Sequence, residues 1–217
     1  SSVIDFDKDR SDRSTYKLLG GSIGFYGSTL NTRQYATKGY LEKLIAQVFT
    51  GRERFEPGNP QEGYSPSPQE RQSWLQISYM KEAYHTMGPK FTLGWMAEAL
   101  YSSKNFSENY TATMMQAGEF APTPHSKLMY NEAFRANQYV AAGIKPIYVL
   151  NDMFQFRTEF YGFTPIFPIK KNALNKAYYG KAFSRFEYMG EVSVICHLPF
   201  GAISAYVNHY SLSLIHI

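Results

Sequence analysis

Met153-Phe154-Gln155-Phe156-Arg157-Thr158-Glu159-Phe160-Tyr161-Gly162-Phe163 is the stretch that decides the fold. Phe154, Phe156, Thr158, Phe160 and Gly162 take every second position, and Gln155, Arg157 and Glu159 take positions between them. Successive side chains of a strand point to opposite faces, so this alternation predicts a strand with one apolar and one polar face. Residues 185–198 repeat it, with Phe186, Tyr188, Val192, Val194, Cys196 and Leu198 opposite Arg185, Glu187, Glu191, Ser193 and His197. Within 91–101 the apolar set is Phe91, Leu93, Trp95, Ala97, Ala99 and Tyr101. Residues 75–83 offer Leu75, Ile77, Tyr79 and Ala83, interrupted by Lys81. Residues 39–51 are apolar on both sides, Leu41, Ile45 and Phe49 against Leu44, Ala46 and Val48, and their faces stay unassigned.

Working outward, the alternation predicts eight strands, at about 14–30, 39–51, 71–86, 90–103, 138–150, 153–166, 182–198 and 200–211. They exceed the roughly 5–6 residues of an ordinary soluble strand. They suit the roughly 9–11 that a tilted strand needs to cross a bilayer. The connections alternate: 31–38, 87–89, 151–152 and the turn at Pro199 are short, whereas 52–70, 104–137 and 167–181 are long and polar. Short turns at one end and long loops at the other mark outer-membrane barrels. The expected fold is therefore all-β, an antiparallel transmembrane β-barrel present in part. Phe91, Leu93, Trp95, Phe154, Phe156, Phe160, Phe186, Tyr188, Val192 and Val194 are its expected lipid-facing residues. In the longest connection, Ser107 is a candidate cap for one short helix that Gly118 ends.

Composition agrees. Of 217 residues 17% are aromatic, the single cysteine is Cys196, and the net charge of +4 comes without a basic run. Disulfide scaffolds, cysteine metal sites and nucleic-acid binding are therefore not expected. Mean hydropathy is −0.37, a value that alternating barrel strands share with soluble proteins. The chain begins at Ser1 with neither Met nor signal peptide, and reads as a fragment. Residues 212–217 read as translated sequencing adapter, which leaves 1–211 as one barrel portion.

Motifs for chemistry are sparse, and no catalytic residue, metal ligand or cofactor is expected. Gly20-Gly21-Ser22-Ile23-Gly24 fits the G-x-S-x-G pattern of a hydrolase elbow, which needs a helix to follow. Phe25-Tyr26-Gly27-Ser28-Thr29 continues a strand instead, so a soluble serine hydrolase using Ser22 is the least favoured reading. His85, His125, His197, His209 and His216 lack metal-ligand spacing. Glu159, Glu187 and Glu191, with Arg157 and Arg185, read as a charged barrel lining.

Asn31-Thr32-Arg33-Gln34-Tyr35-Ala36-Thr37-Lys38-Gly39 resembles a turn of the bacterial surface-antigen barrels, which runs from Asn to an aromatic, Pro, Thr, a charged residue and Gly. Ala36 stands at the proline position. Phe134-Arg135-Ala136-Asn137 resembles the Val-Arg-Gly-aromatic tip of that family's lumen-entering loop, and Leu198-Pro199-Phe200-Gly201 stands at its last short turn. The resemblance, over about residues 14–211, is nearest to the barrels of Bacteroidetes patatin-like phospholipases. It implies a sixteen-stranded barrel of which eight strands are present, and residence in a Gram-negative outer membrane. It also implies a role in anchoring or exporting an upstream patatin-like hydrolase. The implied partners are outer-membrane lipid, upstream domains of the same chain and the outer-membrane assembly machinery. Phe134 and Arg135 would form the lumen-loop tip, with Glu159 as the acidic partner of Arg135. A porin, uptake or assembly barrel with no enzyme attached is the alternative.

Overall fold

The computed structural model describes residues 12–58 and 71–211. The expectation for 212–217 and for His216 lies outside the described residues, as does most of the 52–70 connection.

Eight long strands form one antiparallel sheet: β1 (Arg13–Ser28), β2 (Gly39–Glu56), β3 (Arg71–Thr86), β4 (Phe91–Ser102), β7 (Gln138–Val149), β8 (Phe154–Pro165), β11 (Glu187–Leu198) and β12 (Gly201–Tyr210). Each pairs with its neighbour in sequence order. The connection from β4 to β7 carries α1 (Tyr110–Gln116) and the paired β5 (Gly118–Glu119) and β6 (Arg135–Ala136). That from β8 to β11 carries the hairpin of β9 (Ile169–Lys171) and β10 (Ala177–Tyr179).

Three boundaries differ from expectation. β2 runs on to Glu56, because Arg13–Lys17 of β1 extend its ladder past Thr50. β11 starts at Glu187, because 182–186 close the β9–β10 excursion instead, with Phe183 at φ 51 and its N–H on the Ile166 carbonyl. The helix is capped by Asn109, whose side chain accepts from the Ala112 N–H at 2.7 Å, while Ser107 N–H donates to Thr113 Oγ1.

The two faces of the sheet invert those of a water-soluble sheet. In β8 the polar Gln155, Arg157 and Glu159 are buried with Tyr161 and Phe163, and Phe154, Phe156 and Phe160 are exposed. Arg157 is 2% exposed and Phe160 is 53%. β11 does the same, burying Glu187, Glu191 and Ser193 and exposing Tyr188, Val192 and Val194. The β2 faces follow from register. Leu41 and Lys43 pair through Glu82 and Met80 to Met96 and Glu98 on the inner face. Leu44, Ala46 and Val48 therefore lie outside. Lys81 and Glu42 also lie outside, paired at 3.7 Å.

The strands are steeply staggered. One row runs from Ser28, the last residue of β1 beside a short turn, through Leu41, Glu82, Met96, Gly143, Tyr161 and Met189 to Tyr210. Tyr210 ends β12 at the opposite margin, nine positions above Gly201. With about 3.3 Å per residue and about 4.8 Å between strands, this climb tilts the strands by roughly 40° from the perpendicular to the line of short turns. After allowing for that tilt, Tyr40, Phe91, Tyr148 and Phe154 lie on the outer face at the short-turn margin. Tyr101 and Tyr188 lie at the long-loop margin, roughly 20–25 Å away. Phe186 joins them by lying over Gly162, where an added Cβ would meet its ring at 2.9 Å.

The turn between β1 and β2 keeps its shape through two residues of the quoted motif. Asn31 Oδ1 accepts from the N–H groups of Thr37 and Lys38 at 3.0 and 3.1 Å, and Asn31 Nδ2 donates to Thr37 Oγ1. Gly39 has φ +90 and an added Cβ would lie 2.2 Å from the Thr29 carbonyl oxygen, so only glycine fits.

Candidate functional site

The inner face carries three layers, and each is built by a different part of the chain.

Nearest the short turns, the β1–β2 turn folds inward. Ala36 is buried with Tyr84 and Ile147. Arg157 Nη1 donates to the Ala36 carbonyl at 2.9 Å, and Gln155 Nε2 donates to the Tyr35 carbonyl at 3.2 Å. Tyr35 stands at φ 58, and its hydroxyl donates to Ser204 Oγ on β12 at 2.9 Å.

Behind the turn lies a buried ionic layer. Arg157 Nε donates to Glu159 Oε1 at 2.9 Å and Nη2 to the Tyr84 hydroxyl at 3.3 Å. Tyr161 donates to Glu159 Oε2, and Tyr84 to Glu82. Lys145 pairs with Glu82 at 3.1 Å and sits over the Tyr84 and Tyr161 rings at 5.8 and 5.7 Å. Buried charges persist only when paired and hydrogen-bonded, and here nearly every one is. Glu191 departs from this: it stands opposite Glu159 in the ladder, and its Oε2 has no hydrogen-bond partner among the described residues. The nearest base is His125 Nε2, 3.9 Å from Oε1, whose ring stacks on Tyr206 at 3.3 Å. A cavity of about 430 Å³ runs between this layer and the turn, lined by Lys43, Glu98, Lys127, Lys145, Arg157 and Glu191 among others.

Towards the long loops, the 103–137 connection fills the sheet. Phe120, Ala133, Phe134 and Ala136 pack against Met96, Leu100, Tyr139, Tyr161, Phe163 and Met189. Phe120 meets the Tyr139, Tyr161 and Phe163 rings at 6.3, 6.1 and 5.9 Å. α1 packs in turn on Ile169 of β9. Arg185 clamps the two long connections by donating to the carbonyls of Ala133 and Arg135.

The expected pairing of Arg135 with Glu159 does not form. Arg135 Nη2 donates to Glu119 at 2.7 Å, and Nη1 to the carbonyls of Met115 and Ala117 at 3.1 and 3.2 Å. Its guanidinium lies 4.8 Å from the Tyr130 ring centre. β5 and β6 pair residue 119 directly with residue 135, so the nearer carboxylate wins, while Glu159 is already held by Arg157 and Tyr161. Arg135 thus ties the end of α1 to the β5–β6 ladder, and Phe134 is the residue that seats the connection in the wall. Arg135→Ala is expected to leave these carbonyls and Glu119 without a donor. That costs about 1–3 kcal/mol locally and is seen as faster hydrogen exchange across residues 110–120.

Of the other expected positions, Phe91, Phe154, Phe156, Phe160, Phe186, Tyr188, Val192 and Val194 are on the exposed face, and Leu93 and Trp95 are half-buried there. Trp95 Nε1 donates to His85 Nε2 at 3.3 Å, which accounts for part of that cover. Ser22 sits mid-strand in β1 opposite Gln47, with the strand continuing to Ser28, so no elbow is formed.

Lys104, which sequence patterning did not single out, is buried between the rings of Tyr16 and Trp74 at 5.5 and 5.0 Å. Burial lowers its pKa to about 8. The unfolded chain then binds more protons than the folded one between about 8 and 10.5, so this lysine's contribution to stability rises with pH across that window. Thermal melts of the parent and Lys104→Met from pH 7.5 to 10.5 should show the difference moving in the parent's favour above pH 8.

No known protein family, curated protein or solved structure matches this chain.

Proposed function

We propose that this chain is part of the wall of a bacterial outer-membrane β-barrel. The observation that carries the reading is the inverted sheet: long strands hide Arg157, Glu159 and Glu191 and expose Phe154, Phe156, Phe160, Val192 and Val194. In water that arrangement gives up apolar burial and buries charge besides. In a bilayer both faces are satisfied, because acyl chains take the apolar side and the bore takes the polar one.

Three further features support it. A tilt of roughly 40° lies within the 35–45° used by membrane barrels. The outer face is apolar from one margin to the other, with Leu44, Tyr79, Ala99, Ile144, Phe160, Val192 and Val207 across its middle and aromatic residues at both margins as well. Backbone edges in hydrocarbon must pair, and β1 and β12 each have one unpaired edge within the sheet. An eight-stranded barrel has a bore that side chains fill or that holds one small ligand, with no room for a folded chain segment. The inner face here holds Phe120, Ala133, Phe134 and Ala136 of the 103–137 connection and a cavity besides. Closure therefore calls for further strands beyond β1 and β12.

On the surface-antigen resemblance, the barrel anchors and helps export a patatin-like phospholipase domain carried upstream. Expression of the complete gene tests both parts. The reading expects the product in the outer-membrane fraction, migrating faster on gels unheated than boiled, with a fluorophosphonate-reactive serine outside residues 1–211. A water-soluble, monodisperse product with one mobility would contradict the barrel.

A further inference from the structure

We infer that the β1–β2 turn is a movable gate over the inner cavity, latched by Arg157, Gln155 and Ser204. The inference rests on the barrel reading and adds a moving part to it.

The other short connections of the sheet are tight. The β1–β2 turn spans residues 29–38 and leaves the plane of its hairpin to enter the concave side. Its base is rigid, held by Asn31 and Gly39. Its tip is held differently. Tyr35 is in the left-handed region at φ 58, which costs an L-residue roughly 1–2 kcal/mol. It stays there because three bonds from distant strands hold it: Gln155 to the Tyr35 carbonyl, Arg157 to the Ala36 carbonyl, and Tyr35 to Ser204. The Arg157 guanidinium also lies 5.8 Å from the Tyr35 ring centre. A strained tip on a firm base, fixed by side-chain bonds across the sheet and by the small apolar seat of Ala36 on Tyr84 and Ile147, has two arrangements available, in and out.

What the tip covers gives the motion a purpose. Arg33, Gln34, Tyr35 and Ala36 form one wall of the 430 Å³ cavity, and the 103–137 connection closes the side towards the long loops. With the turn in, the charged floor is shut off from the short-turn side. With the tip released, Lys43, Glu98, Lys145 and Glu191 face an open mouth. The gate therefore controls entry of small polar solutes to a site of mixed charge.

The test uses the complete protein, purified in detergent, with Cys196→Ser and a reporter Lys43→Cys in the cavity. A small anionic methanethiosulfonate reports access through its reaction rate. The latch predicts slow modification in the parent and acceleration of roughly tenfold in Arg157→Gln, since a charge-assisted bond is lost. Arg157 also belongs to the ionic layer, so Tyr35→Phe is the cleaner variant. It removes only the bond to Ser204 and should accelerate modification about threefold. Equal rates in all of these, in a protein that still shows heat-dependent mobility, would overturn the gate and leave the barrel standing. Loss of that mobility in the parent itself would remove both.

Discussion

On the barrel reading, Phe160→Arg is expected to lower the stability of the vesicle-folded protein by roughly 2–4 kcal/mol, the cost of a cation on a lipid-facing side near mid-depth. Phe160 is half exposed, and its neighbours on the outer face are Ile144 and Gly190. For a protein in water, exchanging such a side chain for arginine changes stability by no more than about 0.5 kcal/mol. The two environments thus predict different results from one substitution. Urea titrations of protein folded into vesicles, comparing Phe160→Arg with Phe160→Ala, separate loss of the ring from gain of the charge. The account expects most of the cost to belong to the charge.

The second large effect lies on the other side of the same strand. Arg157→Met should destabilise the protein by about 3–5 kcal/mol, because it leaves Glu159 buried with no guanidinium and strips the donor from the Ala36 carbonyl. The companion change Glu159→Gln removes the stranded charge, so the double variant should recover a substantial part of the loss. The pair is in direct contact, and a double-mutant cycle on equilibrium unfolding measures the coupling. Additive effects would mean that Lys145 and Tyr161, not Arg157, hold the Glu159 carboxylate.

These two residues also mark what the sequence makes legible. Strand positions and faces in 91–101, 153–163 and 187–198 follow from alternation alone, because a one-residue slip would exchange the faces. Residues 39–51 stayed unassigned for a physical reason. Leu41 and Ile45 share the inner face with Lys43, so apolar side chains occur on both faces and the period disappears. Register with β3 resolves it, and register is a long-range property. The short–long rhythm of the connections was likewise readable, but the hairpin of β9 and β10 inside 167–181 was not. Its strands are only three residues each, too short to show a period.

The interior was legible in part. That Arg157, Glu159 and Glu191 turn inward follows from their alternation with phenylalanine and valine. Who pairs with whom does not, since Glu82, Lys145 and Ala36 reach the same layer from three other segments. Arg135 shows the limit most clearly. The resemblance pointed it at Glu159, whereas the two-residue ladder of β5 and β6 places Glu119 beside it. Local pairing of that length leaves no pattern to read beforehand.

Photo-crosslinking along residues 154–163 of the membrane-inserted, complete protein tests the central claim most directly. A diazirine amino acid placed at each position in turn should capture acyl chains at 154, 156, 158, 160 and 162 and fail to do so at 155, 157, 159, 161 and 163. Lipid adducts absent throughout, or strongest at 155, 157 and 159, would contradict the account.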